Sequence, residues 1–204
     1  MIEIPVFKEL SFDEEKHIYK IEGQCLPSVT TVMKPMSSSY YKGIDEDVLN
    51  KAANRGTAIH NAIENYIKFA ITDIPPEFEG YFKAFKKWWK EVKPEVIATE
   101  CRMYHKFLRY AGTADMPCVI NGKVICVDFK ASATINRALT GVQLEAYSKA
   151  YESHGFFFDG KAIVHLKSDG TYTMMMYEKN DSESWEVFGA LMVVHNHLQK
   201  YKWR

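Results

Sequence analysis

The chain has 204 residues, 47% of them hydrophobic and 25% charged, which suits one domain with a sizeable core and excludes a disordered polypeptide. Lys plus Arg equal Asp plus Glu at 26 each, so no net field advertises a polyanionic partner, and any such partner must be held by local clusters. No apolar run approaches the ~20 residues of a membrane-spanning helix. MIEIPVFKEL has neither the basic start nor the long apolar centre of a signal peptide, so a cytoplasmic protein is expected.

Residues 1–34 read as short strands, with KIEGQC as a hairpin centred on Gly23 before LPSVTTVM, and SSSYYKG at 37–43 as a loop. Apolar residues recur at Ile59, Ala62, Ile63, Tyr66, Ile67 and Ala70, which predicts an amphipathic helix over roughly 46–70, broken by Ile74-Pro75-Pro76. A second helix at about 77–92 turns Phe82, Phe85, Trp88 and Trp89 toward a core, and Pro94 ends it. Its opposite side carries Lys83, Lys86, Lys87 and Lys90, which read either as a solvated face or as a track for phosphates.

Residues 95–104 and 107–130 predict three strands in a meander. The loop ASATINRALTG, with Arg137, leads to a helix at about 141–153. KAIVHLK and TYTMMMYE then flank a Ser168-Asp169-Gly170 turn. A last helix starts near 182, announced by Asn180-Asp181 with Glu183 placed to close a capping box. No repeat or linker divides the chain. The expected architecture is one α/β domain over 1–204, with N-terminal strands and a loop at 1–45 and a core at 46–204 built on a central mixed sheet flanked by helices. Four cysteines lack any CxxC spacing and are expected to be reduced core residues.

The hairpin GTADMPCVINGKVICVDFKAS carries the chemistry. Asn121-Gly122 suits a two-residue type I′ turn, which sets Ile120 opposite Lys123 and, carried to the end, Asp115 opposite Asp128. Side chains alternate along a strand, so Lys130 shares the side of Asp128 while Phe129 points away. Both faces of the hairpin are otherwise apolar, as in the middle of an α/β sheet. Two buried carboxylates against one ammonium leave a deficit of positive charge that a divalent cation fills, and oxygen donors favour Mg²⁺ or Mn²⁺. The plainer reading makes Asp115 a strand-end residue and Asp128–Lys130 a structural ion pair.

Other polar groups fall within reach. His60 and Glu64 lie four apart on the first helix, so the imidazole is a candidate ligand and Glu64 a supporting or surface residue. Gln143 and Tyr147 lie one turn apart on a later helix, as a solvated face or as contacts to phosphates and bases. Glu100 is either a solvent-facing strand residue or a further carboxylate near the metal.

The order RG…H on a helix, then Glu100, GTAD, VDFK and QxxxY, resembles the RecB-type branch of the PD-(D/E)XK nuclease superfamily. The opening HIYKIEGQCLPSVTTVM is similar to the N-terminal region of phage exonucleases and of the mitochondrial genome maintenance exonuclease group. The resemblance runs from His17 to Tyr147. It implies a restriction-endonuclease-like core in which His60, Asp115, Asp128 and the Phe129 carbonyl bind one or two Mg²⁺ or Mn²⁺ ions. Asp115, Asp128 and Lys130 would be catalytic, and Arg55, Ser132, Gln143 and Tyr147 would face DNA. Many members carry Glu where this chain has Asp128. With no cysteine after Cys126, the iron–sulfur cluster of some relatives is not expected.

The implied activity is a DNA exonuclease acting on strand ends or single strands in phage or bacterial recombination, repair or replication. A recombination or replication protein is its expected partner, and the bacterial or phage-infected cytoplasm its place. A structure-specific endonuclease and a non-catalytic DNA-binding module are the alternatives.

Overall fold

The computed structural model describes residues 2–201, so both ends of the expected 1–204 domain lie outside the described residues. Strands β1 (Leu10–Asp13), β2 (Ile18–Ile21) and β3 (Gln24–Leu26) form a small antiparallel sheet, with Gly23 at φ 79° in the turn between the last two. The next stretch departs from expectation. Val29–Val32 (α1) and Lys34–Tyr40 (α2) are helical where a strand and a loop are predicted. For α1 the reason is a cap: Ser28 Oγ accepts the Thr31 N–H at 3.0 Å, while Val29 and Val32 are buried, which overrides the strand preference of a β-branched run; α2 has no side-chain cap and starts with Pro35 in its first turn.

Helix α3 (Glu46–Phe69) and helix α4 (Glu79–Val92) match their predicted spans, the latter after a 3₁₀ turn at Pro76–Phe78. Five strands follow in place of the expected three: β4 (Glu95–Val96), β5 (Cys101–Tyr104), β6 (Ala111–Ala114), β7 (Met116–Ile120) and β8 (Lys123–Lys130). Helix α5 (Arg137–Glu152) starts earlier than predicted because Asn136 Oδ1 caps it, accepting the Leu139 N–H at 3.0 Å. After β9 (Gly160–Leu166) and β10 (Tyr172–Tyr177), helix α6 (Ser182–Tyr201) is capped by Asp181. Ser184, not Glu183, completes that cap, donating N–H at 3.0 Å and Oγ–H at 2.7 Å.

The central sheet has the order β10-β9-β8-β7-β4, mixed as predicted, with β8 and β9 parallel and the other pairs antiparallel. Strand β8 lies in the middle and is apolar on both sides, as its sequence requires. Met116, Cys118, Ile125, Val127 and Phe129 pack with α3 and α4, whereas Val124 and Cys126 pack with α1, α5 and α6. Cys118 and Cys126 thus face opposite ways and are buried; Cys101 is half-buried, and Cys25 is exposed, contrary to the expectation of four core cysteines.

Helix α5 crosses from β8 to β9 and is buried on nearly every side. Its Glu145 is fully buried and forms an ion pair with the equally buried Lys161 of β9. Sequence reading gives no hint of this pair, because neither residue's neighbours mark it as internal.

Gly80, in the first turn of α4, is needed for close approach. A Cβ there would sit 1.8 Å from the backbone oxygen of Ser168 in the β9–β10 turn. Gly80→Ala is therefore expected to destabilise the protein by about 1–3 kcal/mol, although alanine is the better helix former. Urea unfolding checks this, and an unchanged or raised midpoint would show that α4 and the turn do not meet this closely.

Candidate metal centre

The predicted register holds from Ile120 opposite Lys123 to Met116 opposite Val127, over a turn with Asn121 at φ 50° and Gly122 at φ 74°. It then stops. Asp115 lies in the bend between β6 and β7, so it is not the direct ladder partner of Asp128. Its Oδ2 instead accepts the Phe129 N–H at 2.7 Å.

Glu100 reaches the same place through a bulge. From Val96 to Cys101 the chain advances five residues, while the facing strand goes four, from Cys118 to Ala114. Ile97 and Ala98 both donate to the Pro117 carbonyl, at 3.0 and 3.3 Å. Glu100 then turns into the left-handed region at φ 48°, a strained position for a residue with a side chain, and its N–H donates to the Asp115 carbonyl at 2.8 Å. This break is why 95–104 is not one strand. It re-aims the Glu100 carboxylate inward.

His60 completes the group from α3. Its Nε2 lies 3.0 Å from the Phe129 carbonyl, so Nε2–H is the donor and Nδ1 carries the lone pair whenever the ring is neutral. Nδ1 is 3.5 Å from Asp115 Oδ1 and 4.0 Å from a Glu100 oxygen. One donor atom each from His60, Glu100 and Asp115 lies within 4.8 Å of the others, beside a small cavity of about 10 Å³. Of the two readings of Glu100, the cluster brings it beside His60 and Asp115 as a candidate ligand, and the Phe129 carbonyl, an expected ligand, accepts from His60.

Asp128 stands on the α5 side of β8 and is 2% exposed. Lys130 Nζ lies 2.8 Å from its Oδ2, off the direction of a good hydrogen bond, and Gln143 Nε2 lies 3.4 Å from Oδ1. Gln143 also donates to the Tyr147 hydroxyl at 2.8 Å. Tyr147 is buried and packs on Gly112, where a Cβ would come within 2.9 Å of its ring. These two residues thus sit inside, on the carboxylate, and do not form a solvated helix face.

The other candidates make contacts of their own. Arg55 lies over the Tyr81 ring at 5.4 Å. Ser132 donates its hydroxyl to the Thr134 carbonyl at 2.8 Å. Glu64 pairs with Lys68 on the wall of the cleft above His60. The α4 lysines face solvent, with Lys83 paired to Glu79 at 3.3 Å and Lys86 over Phe82. Arg137 lies over the Tyr177 ring.

The electrostatics follow from crowding negative groups around one imidazole. Burial, reinforced by Asp115, lifts Glu100 to about 7. Burial lifts Asp115 to about 6, with Asp128 adding to it against His60. Burial works to lower His60, but Asp115 and Asp128 outweigh it and raise it. Without a cation the raised pKa values favour protons on these groups, and a divalent ion would take their place. One imidazole nitrogen and two carboxylates suit Mn²⁺ or Mg²⁺, so the residues fit the ion that the hairpin's charge deficit calls for.

Comparison with known proteins yields no matching family model and no matching curated protein. Similar solved structures include SSO0001, at 15% identity over 82% of this chain and 74% of that one, TM-score 0.44. They also include an alkaline exonuclease (LHK-Exo) from Laribacter hongkongensis, at 10% identity over 86% and 91%, TM-score 0.44. A complex of LHK-Exo with dAMP aligns at 15% identity over 87% and 92%, TM-score 0.37. Likenesses at this level assign no family, and the chemistry of the site stands on its own geometry.

All three groups bind protons more tightly in the fold than in the unfolded chain. The raised carboxylates add a destabilising charge as pH climbs through about 6 to 7, and the raised His60 loses its stabilising charge over the same direction. Metal-free protein is therefore expected to lose stability from pH 5 to 8, and Glu100→Gln to gain on the wild type over that range. Mn²⁺ should raise the melting temperature more at pH 8 than at pH 5.5. Melting curves in EDTA and in Mn²⁺ check this; a Glu100→Gln advantage that shrinks toward pH 8 would refute it.

Proposed function

We propose that the protein is a divalent-metal-dependent deoxyribonuclease that removes nucleotides from strand ends or single-stranded DNA. The observation that carries this reading is the convergence of His60, Asp115 and Glu100 beside the Asp128–Lys130 pair at the end of β8, open to a cleft of about 610 Å³. The family resemblance of the motifs adds the same substrate and reaction.

A bound divalent ion supplies charge to a phosphoryl oxygen and acidifies a water. His60 Nδ1, Asp115 and Glu100 would hold it, with Asp128 alongside, and the Phe129 carbonyl fixes the imidazole tautomer. Burial works to lower the Lys130 ammonium, but Asp128 and Asp115 together outweigh it and raise its pKa. Lys130 is thus charged at neutral pH. It would orient the attacking water and stabilise the negative charge that grows on the phosphate. Gln143 steadies Asp128, and Tyr147 steadies Gln143.

End-labelled single- and double-stranded DNA, circular single-stranded DNA and RNA of the same sequence, each with Mg²⁺, Mn²⁺ or EDTA, test the reading. Metal-dependent shortening of linear DNA with circles left intact is expected; cut circles would make it an endonuclease, and binding without cleavage a non-catalytic module. Asp128→Ala and Lys130→Ala should lower kcat by about 10²–10³ or more with the fold retained. Lys130→Arg should restore part of the loss if charge is what matters, and full activity of Lys130→Ala would sink the mechanism.

A further inference from the structure

The cleft has a second wall that the metal centre does not use. It opens between α3 and the β1–β2 turn, with His60 and Glu100 on one side and Phe12, His17 and Arg102 on the other. Its volume of about 610 Å³ lies within the range of small-ligand sites. Phe12 stacks on Tyr19 with ring centroids 4.4 Å apart, and the exposed His17 ring stands at right angles to both, at 5.1 and 5.7 Å.

Two features of this cleft bear on its occupant. His17 closes the β1–β2 turn at φ 52°, as Glu22 does in the next turn at 51°, and its exposed ring lines the cleft. Gly56 lies in the middle of the 24-residue α3, although glycine is among the poorest helix formers, and a Cβ there would meet nothing within 4 Å. The one position keeps a ring at a tight turn, and the other keeps a side chain out of open space. Both line the cleft.

Charge selects the occupant. Away from the metal ligands, Arg102 is already paired with Glu14 at 2.9 Å and lies over the Phe12 ring at 5.0 Å, so that wall offers a phosphate no unpaired guanidinium, while a flat, neutral group that donates hydrogen bonds is favoured beside Glu14. We propose that the cleft is a nucleobase subsite, in which the unstacked base next to the cleaved phosphate lies on His17 and the strand passes over Gly56. The subsite rests on the nuclease reading and narrows it to a strand whose end is unpaired.

His17→Gly removes the ring and relieves the backbone, and Gly56→Ala improves the helix, so both variants should melt at or above the wild-type temperature. With short single-stranded DNA and Mn²⁺, His17→Gly should raise KM roughly 5- to 100-fold with kcat little changed, because stacking is shared by ground and transition states. Gly56→Ala should raise KM while raising the melting temperature. An abasic residue walked along the oligonucleotide should cost the wild type a similar factor at one position, and cost His17→Gly nothing further there. The same oligonucleotide as RNA tells whether the sugar matters.

No penalty for any abasic position, or the full penalty retained in His17→Gly, would overturn the subsite. If no nucleic acid is hydrolysed, the nuclease reading fails by itself. Fluorescence anisotropy of the same oligonucleotides in Mg²⁺ then decides the subsite by the same two criteria.

Discussion

Buried negative charge at the end of β8 is the constraint on which the rest of the site depends. Asp115, Asp128 and Glu100 face one lysine and one histidine, and carboxylates out of water cannot stay ionised together without positive charge or directed hydrogen bonds. Each neighbouring feature answers part of that demand. The Phe129 N–H goes to Asp115, Lys130 and Gln143 go to Asp128, and His60 is turned so that its lone pair looks into the gap. What is left over is a space with two carboxylates and an imidazole around it, whose raised pKa values favour protons in the absence of an ion.

The fold makes this arrangement possible by bringing opposite sides of the sheet together beyond the end of one strand. Helix α3 packs on the Phe129 face and α5 on the Asp128 face, so their side chains meet only where β8 runs out. Phe129 anchors that end, its ring edge-on to Phe85 and Trp88 at 5.5 and 5.4 Å. Its backbone is then free to serve the site twice, through N–H to Asp115 and through the carbonyl to His60. The aromatic stripe of α4, which sequence reading assigns to the core, is thus also what holds the donors in register.

How much of this was legible depended on whether a feature is local. The Asn121-Gly122 turn, the two-faced apolar β8 and the spans of α3 and α4 follow from short-range rules, and each is found where those rules place it. The side shared by Asp128 and Lys130 follows from alternation alone. Glu100 was the hard case. Its entry into the cluster needs a bulge at Ile97-Ala98 and a left-handed residue, and the sequence there has neither Gly nor Asn to announce them. The Val29–Val32 turn is helical because one serine cap outweighs a β-branched run, and the Glu145–Lys161 pair is invisible to local rules because burial of charge is a property of the assembled layers.

Gly112 and Tyr147 show why widely separated motifs behave as one unit. GTAD lies on β6 and QxxxY on α5, yet the tyrosine ring rests against the glycine at a distance that leaves no room for a methyl group. Gly112 precedes Asp115 by three residues, and Tyr147 accepts the hydrogen bond from the amide that faces Asp128. The two carboxylates are therefore positioned by one contact: moving the ring shifts Gln143 against Asp128, and moving the β6 backbone shifts the bend that carries Asp115. Small size at 112 and a buried phenol at 147 are consequences of the same requirement. The acidic groups must approach closely enough to share positive charge, and only a backbone without a side chain lets α5 come that near.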